Sequence, residues 1–350
     1  AATALSTGHK TYNGAIGVDA NKKPLLTIME HAKQLGKKTG LVVTSQINHA
    51  TPAAYFSHNE SRKNYNEIAD SYFDEKINGQ FKADLMMGGG TEYFNRPDRN
   101  LVKEFKQSGF QYIDNLSKLT TLHKQQPILG LFAEVGLPWT LDDKQNNHLL
   151  TMTKAAVQNL ENKNGYALLV EASQIDWAGH SNDIAAAMAE MQDLAETLAW
   201  LKHYTEQRND TLLVATADHS TGGLTIGANG DYRWQPEILK SLSLSPKTIA
   251  TNLVHLNHPL SAEQLTDSLG FIVSDLEAES FINSKDEKSI YQQLKLLIDD
   301  KTNTGWTSSG HTGIDVQVFA AGFGAEAFNR HQTNTDIATQ IFSILGAQQH

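Results

Sequence analysis

The chain has 350 residues, of which 40% are hydrophobic, and a formal net charge of −10. This length suits one large domain or two smaller ones, and the acidic balance argues against a nucleic-acid partner, because duplex binding requires a basic face. The sequence contains no apolar run of about eighteen residues, which excludes a predicted membrane span, and its lack of cysteine restricts metal ligands to His, Asp, Glu and hydroxyl groups.

Apolar spacing and turn residues predict helices and strands that alternate along the chain. The opening residues, Ala1–Gly8, are typical of a helix that ends at a glycine. In chain order, the pattern then predicts a helix over Pro24–Gly36, a strand over Gly40–Thr44, a helix over Tyr65–Phe73, a strand over Asp84–Met87, a helix over Leu101–Gln107, an extended segment over Phe110–Ile113 and a strand over Ile128–Phe132. It continues with a helix over His148–Leu160, a strand over Tyr166–Val170, a long helix over Ser181–Gln207, strands over Thr211–Thr216 and Val316–Ala321, and a helix over Asp336–Leu345.

This alternation predicts an α/β fold with a mostly parallel central sheet and helices on both faces, since its strands are continuously apolar. Residues 228–305 break the pattern, being polar with two amphipathic helical segments, Ser261–Leu269 and Lys288–Asp299. We predict a single domain over residues 1–350, with residues 228–305 as an insertion. The insertion is either a crown or lid subdomain or an oligomer contact, or else a solvated excursion without a role.

Three candidate ligands surround the end of the strand predicted over Tyr166–Val170. Glu171 closes that strand, and Asp176 and His180 follow it. If a helix begins near Asp176, then Asp176 and His180 lie one turn apart on one face and can share a zinc ion, whereas Glu171 would suit a second, harder ion. The alternative is that Glu171 merely ends the strand and that Asp176 caps the helix.

Further candidates follow other predicted strands, where ligands of parallel sheets bind. Asp218 and His219 follow Thr211–Thr216 after one alanine and precede a glycine pair that permits close backbone approach. They offer two neighbouring ligands, or else an ordinary turn in which Asp218 caps. His311 lies between nearby glycines, which suggests a constrained imidazole, although a single histidine is more often without such a role.

A last group follows the strand predicted over Gly40–Thr44. His49 and Thr51 offer a nitrogen and a hydroxyl oxygen, and Arg62 lies eleven residues beyond Thr51. The planar guanidinium of arginine suits phosphate or carboxylate, although a single arginine such as Arg62 is more often an ordinary surface charge. Two close divalent ions with an arginine form the usual apparatus for attack on a phosphoryl group.

Six blocks of sequence, in this order, resemble the bacterial alkaline phosphatases: Thr3–Asp19, His49–Arg62, Met87–Gly90, Glu171–His180, Thr216–Gly223 and Gly310–Gly313. The resemblance implies a three-layer sandwich and a phosphomonoesterase with two zinc ions and one magnesium ion. It implies small phosphate monoesters as substrates, a homodimer, and a periplasmic or secreted location.

The resemblance also assigns the site residues. It implies that the first zinc is held by Asp176, His180 and His311. It implies that the second zinc is held by Asp218 and His219, and the magnesium by Thr51 and Glu171. Arg62 matches the arginine that binds two phosphate oxygens.

The sequence departs from the family pattern in two respects. His49 and Trp177 flank the magnesium and phosphate shell, where the best-known enterobacterial members have Asp and Lys, so the third metal need not be the magnesium of those enzymes. In the family, the nucleophilic serine directly precedes the Thr3–Gly8 block, and an earlier strand supplies an aspartate that bridges two metals. We therefore expect both groups upstream of Ala1, with the nucleophilic serine absent from these 350 residues.

The implied reaction is in-line attack of a serine on phosphorus, followed by hydrolysis of the phosphoserine. Activity should fall in acid, because metal ligation requires neutral imidazoles. Two other enzymes of the superfamily, a phosphodiesterase and a sulfatase, remain alternatives, as do a structural or storage metal site and an inactive metal-binding fragment. Structural zinc sites are closed by four protein ligands, so the smaller ligand sets assigned to each zinc here favour catalysis.

Overall fold

The computed structural model describes residues 1–123, 126–143 and 147–346. Its α-helices are α1 (Ala2–Thr7), α2 (Ile28–Gln34), α3 (Ala50–Phe56), α4 (Tyr65–Asp74), α5 (Thr91–Phe94), α6 (Leu101–Gln107), α7 (His148–Leu160), α8 (Gln174–Ser181), α9 (Ile184–Glu206), α10 (Pro246–Leu253), α11 (Ala262–Leu269), α12 (Asp275–Ala278), α13 (Glu287–Thr302) and α14 (Asn334–Gly346). Its strands are β1 (Lys38–Gln46), β2 (Lys76–Ile77), β3 (Gln80–Phe81), β4 (Leu85–Gly89), β5 (Gln111–Ile113), β6 (Ile128–Leu131), β7 (Tyr166–Glu171), β8 (Leu212–Thr216), β9 (Ser220–Thr221), β10 (Leu224–Ile226), β11 (Thr304–Trp306), β12 (His311–Thr312) and β13 (Val318–Gly322).

The central sheet has five strands in the order β5-β6-β4-β1-β7, and each neighbouring pair is parallel. Strand β1 is buried from Thr39 to Gln46. Helices cover both faces, because successive side chains of β1 enter different cores: Leu41 and Val43 pack in one cluster with Phe56, whereas Val42 packs in another with Leu149 of α7. The predicted parallel sheet with two covered faces is confirmed.

The strands near Asp218 and His219 differ from the prediction. Strand β8 pairs antiparallel with β13, with Ala215 opposite Phe319, and in the described part of the chain neither strand belongs to the parallel sheet. An apolar run indicates burial but not the direction of pairing, which depends on how the chain returns. Asp218 and His219 therefore follow a strand of this antiparallel pair.

Two predicted helices have different bounds in the structure. The helix predicted over Pro24–Gly36 begins at Ile28, after Thr27 and Glu30 form a capping box. The helix predicted over Ser181–Gln207 is interrupted, because Asn182 adopts a left-handed conformation with φ 52° and Asp183 caps the new helix α9 by accepting from the Ala186 N–H.

The insertion contains helices α10 to α13 and has a hydrophobic cluster of its own, which includes Leu253, Leu265, Phe281 and Leu294. Its beginning and end meet where β10 pairs antiparallel with β11. Helix α10 was not predicted, although Ser245 as N-cap and Pro246 at the first helical position are helix-start signals. Over residues 1–123, 126–143 and 147–346, no helix is both long and apolar enough to cross a membrane.

Candidate metal centre

Asp176, His180 and His311 form a cluster whose ligand atoms all lie within 4.8 Å of one another. Asp176 and His180 lie one turn apart on α8, as predicted, and His311 comes from β12. The His180 and His311 Nε2 atoms are 3.2 Å apart, and Asp176 Oδ1 lies 3.4 Å from His180 Nε2 and 3.8 Å from His311 Nε2. Ligands of a tetrahedral zinc, each about 2.0–2.1 Å from the metal, lie roughly 3.3 Å from one another, so this donor set fits zinc.

The hydrogen bond of His180 fixes which ring nitrogen faces the cluster. Its Nδ1 lies 2.6 Å from the Ser309 carbonyl oxygen, which can only accept, so Nδ1 carries the hydrogen and Nε2 offers its lone pair. Burial, and then the neighbouring His219, lower the pKa of His311, which favours its neutral form. When Nε2 of His311 is also deprotonated, the two Nε2 lone pairs lie 3.2 Å apart and can bind one cation together, so this arrangement also fits a metal.

The second candidate pair lies directly beside the first. His219 Nε2 is 3.3 Å from Asp218 Oδ2, a separation that again suits two ligands of one zinc. The His219 and His311 rings are stacked, with centroids 3.5 Å apart and an angle of 20° between their planes. The two predicted zinc sites are therefore in direct contact through these two rings.

Thr221, which the sequence analysis did not single out, connects the two sets. Its hydroxyl lies 2.6 Å from Asp176 Oδ1 and 3.3 Å from His219 Nδ1. Because the carboxylate only accepts, the Thr221 hydroxyl donates to Asp176 and accepts from the Nδ1–H of His219. This leaves Nε2 of His219 free to bind a metal. The only sequence signal was the position of Thr221, two residues beyond His219.

The third candidate set is rich in oxygen. Glu171 is the last residue of β7, and Ser173 Oγ donates to its Oε2 over 2.6 Å. Burial raises the pKa of Glu171 to about 7, although hydrogen bonds from the Ser173 and Thr51 hydroxyls oppose the rise. A carboxylate and hydroxyl groups are the hard ligands that magnesium prefers. Ser173 is a second residue whose role at the site was not predicted.

Arg62 and His49 are in direct contact, and Trp177 lies beside them. Arg62 Nη2 donates to His49 Nε2 over 3.1 Å; burial first and the Arg62 charge second lower the pKa of His49 to about 4. The Trp177 and His49 rings meet edge to face with centroids 5.6 Å apart. The Arg62 backbone N–H donates to Gly14 O over 2.7 Å. Arg62 is therefore fixed both through its backbone and through its side chain.

These groups surround one cleft of about 420 Å³. Of the predicted site residues, its walls include His49, Thr51, Arg62, Glu171, Asp176, Asp218, His219 and His311. His180 lies beside the cleft, in the cluster with Asp176 and His311. Trp177 contacts His49 through its ring. The structure thus brings together all ten residues that the sequence analysis named. The cleft is also lined by Ala1–Ala4 and by residues 10–16.

A family model described as alkaline phosphatase matches residues 1–347. The chain belongs to the alkaline phosphatase family. It is 45% identical over 348 residues to alkaline phosphatase 4 of Bacillus subtilis, covering 99% of this chain and 75% of that protein. It is 32% identical to the repressible alkaline phosphatase of Saccharomyces cerevisiae, covering 91% of this chain and 65% of that protein.

Solved structures of the family share the fold. The cold-active alkaline phosphatase of a psychrophilic Shewanella species superposes with a TM-score of 0.92 at 47% identity, covering 99% of this chain and 85% of that one. The Thermus thermophilus alkaline phosphatase gives a TM-score of 0.85 at 27% identity, with 99% and 79% covered. The predicted family and fold are confirmed, and family membership supports metal-dependent hydrolysis of phosphate monoesters.

Proposed function

We propose that this chain carries the metal and phosphate site of an alkaline phosphatase that works through a phosphoserine intermediate, with two zinc ions and one magnesium ion. The observation that supports this most strongly is the Asp176, His180 and His311 cluster, whose ligand atoms lie within 4.8 Å of one another. Two of these ligands, Asp176 and His311, line the same cleft as Arg62.

Asp176, His180 and His311 would hold one zinc ion, Asp218 and His219 the second, and Thr51 and Glu171 the magnesium. When bound, these ions would neutralise the charge of the phosphoryl group and supply activated water. The charged N–H groups of Arg62 that His49 does not engage are free to bind two phosphate oxygens. His49 and Thr221 keep Arg62, Asp176 and His219 oriented before substrate arrives.

The nucleophile is proposed to be a serine that precedes Ala1, as the family resemblance implies. In support, Ala1 and Ala2 line the cleft. Ser173 also lies at the cleft, but its hydroxyl donates to Glu171. The test compares this 350-residue chain with a form extended upstream to include that serine, and traps labelled phosphate at acid pH. The label should appear on a serine of the extended form, and labelling of the shorter chain would overturn this assignment.

Arg62→Ala should lower the turnover of the extended form and weaken inhibition by inorganic phosphate, each by roughly ten- to hundredfold. A charged, two-pronged hydrogen-bonding contact contributes about 1.5–3 kcal/mol, and the change removes no metal ligand. Steady-state kinetics with phosphate as inhibitor, together with metal analysis, measure both effects. Arg233→Ala is the matched control, because its side chain is 76% exposed. Phosphate inhibition as strong in Arg62→Ala as in this control would contradict the assignment.

The pair His49→Asp and Trp177→Lys should change magnesium dependence more than zinc content. An aspartate at 49 adds a hard oxygen ligand to the cleft that Thr51 and Glu171 line. A histidine-to-aspartate variant of the alkaline phosphatase of the Antarctic bacterium TAB5 has Mg bound in its M3 site. Magnesium activation curves and zinc analysis of the double variant test this; superimposable curves for variant and parent would count against it.

The assembly and location of the protein are further proposals, which rest on the family resemblance. We propose a homodimer that acts on small phosphate monoesters in the periplasm or outside the cell. Light scattering of the purified protein tests the dimer, and fractionation of the source cells tests the location. A monomer at micromolar concentration would refute the first proposal, and activity confined to the cytosol would refute the second.

A further inference from the structure

Helix α13 of the insertion carries a polar stripe formed by Tyr291, Lys295 and Asp299. These residues are four positions apart and therefore lie on one face of the helix. Lys295 is buried, with 8% of its surface exposed, and burial of a lysine requires compensating partners. All three side chains find a partner beyond residues 228–305.

Two members of the stripe hold the junction between α8 and α9. Lys295 Nζ donates to the carbonyl oxygen of Ser181, the last residue of α8, where helix carbonyls lack partners within the helix and a positive charge is favourable. Tyr291 Oη donates to Asp183 Oδ2 over 2.9 Å. Asp183 also caps α9. The end of α8, which carries Asp176 and His180, is thereby attached to α13.

The same junction holds the segment that leads to His311. Asn182 Nδ2 donates to Ser308 O over 3.1 Å, and His180 Nδ1 donates to Ser309 O over 2.6 Å. Both acceptors lie within three residues of His311. A displacement of the α8 end would therefore move all three ligands of the first cluster.

Asp299, the third member of the stripe, is also connected to the segment that leads to His311. Trp306 Nε1 donates to Asp299 Oδ1 over 3.3 Å. The Trp306 ring packs so closely on Gly222 that a Cβ there would lie 2.6 Å from it. Gly222 in turn donates its N–H to Gly310 O over 2.9 Å. Helix α13 is thus connected through Trp306 and Gly222 to Gly310, the residue before His311.

We propose that the stripe Tyr291–Lys295–Asp299 is a positioning device for the first zinc cluster. Through it, the insertion would hold the end of α8 and the segment before His311 in place. Lys295 is the central positioning residue, because its ammonium group contacts the last carbonyl of the helix that carries two of the ligands. This inference rests on the proposed zinc site. It gives the insertion a role at the metal centre in addition to any role as lid or crown.

The test compares Lys295→Met with Lys301→Met. Both are lysines of α13, but Lys301 pairs with Glu277 inside the insertion, with Nζ and Oε1 2.6 Å apart. Each purified, zinc-loaded protein is exposed to a chelator, and the zinc remaining is measured against time, beside thermal unfolding of the metal-free form. Removal of a residue that orients metal ligands typically costs about 10–100-fold in metal affinity. We therefore expect Lys295→Met to lose one zinc at least about tenfold faster than the parent, and Lys301→Met to match the parent.

Equal rates of zinc loss in the two variants would overturn the proposal. Should Lys295→Met fail to fold, Tyr291→Phe serves instead, since it removes a single hydroxyl, and it should also speed zinc loss without lowering the folded fraction. Zinc loss by Tyr291→Phe at the parental rate would equally refute the stripe as a positioning device. The rate of zinc loss can be measured without any assay of enzyme activity. A parent that binds no zinc at all would instead refute the proposed metal site.

Discussion

His311→Ala is expected to lower phosphate monoester turnover of the extended form by about 10³-fold and to remove one zinc ion per chain. The change takes away one of three ligand atoms that lie 3.2–3.8 Å apart, leaving too few to hold the metal. A metal ion contributes several kcal/mol to stabilising transition-state charge, and about 4 kcal/mol corresponds to roughly 10³-fold in rate. Kinetics and metal analysis of the same preparation measure both losses.

His331→Ala provides the control for this change. Its side chain is 89% exposed, and its partner Asp315 is 92% exposed, so the variant should keep the zinc content and turnover of the parent. A His311→Ala protein that still carries the full complement of zinc would show that His311 is not a ligand. Circular dichroism establishes that both variants remain folded.

The metal-free protein is expected to lose about 3 kcal/mol of unfolding free energy between pH 4.5 and pH 7 because of Glu171 alone. Burial raises the pKa of Glu171 from 4.5 to about 7. In that window the folded state therefore binds more protons than the unfolded state, so stability falls as pH rises. The contribution is complete below pH 4.5 and is lost above pH 7, and a shift of about 2.5 units corresponds to about 3 kcal/mol.

Glu171→Gln isolates this contribution from the other titrating groups. Glutamine keeps the shape of the side chain but does not titrate, so the stability of the parent relative to the variant should decline across this pH range. Urea denaturation of both proteins without metal, at several pH values, gives the difference. Magnesium should oppose the decline in the parent only, because binding favours the deprotonated carboxylate. Parallel stability curves would show that Glu171 ionises normally.

The parallel sheet could be predicted from sequence because burial on both faces leaves continuous apolar runs, as in Leu41–Val43 of β1. The pairing of β8 with β13 could not, since about a hundred residues separate them and an apolar run carries no direction. The break at Asn182 was also missed. Helix formers on both sides obscured it, and only the backbone conformation of that one asparagine divides α8 from α9.

The positions of the candidate ligands could be predicted because most are His, Asp or Glu side chains beside a recognisable strand or a glycine, and Thr51 is a hydroxyl residue shortly after a strand. The groups that orient them could not. His180 is oriented by the backbone carbonyl of Ser309, 129 positions away. Because every residue has a backbone carbonyl, the sequence does not indicate which one makes this contact. Thr221 and Ser173 contribute ordinary hydroxyls, whose roles depend on contacts that exist only after folding.

If the two zinc ions bind as proposed, the stacked rings of His219 and His311 predict cooperative metal loading. An ion held by His311 restrains the ring against which His219 packs, at 3.5 Å between centroids, and the hydroxyl of Thr221 joins Asp176 to His219. Part of the entropy lost in ordering the second set is therefore already lost when the first is filled. By thermodynamic reciprocity each proposed ion would then raise the affinity for the other by the same factor, so the second zinc should bind more tightly once the first is in place.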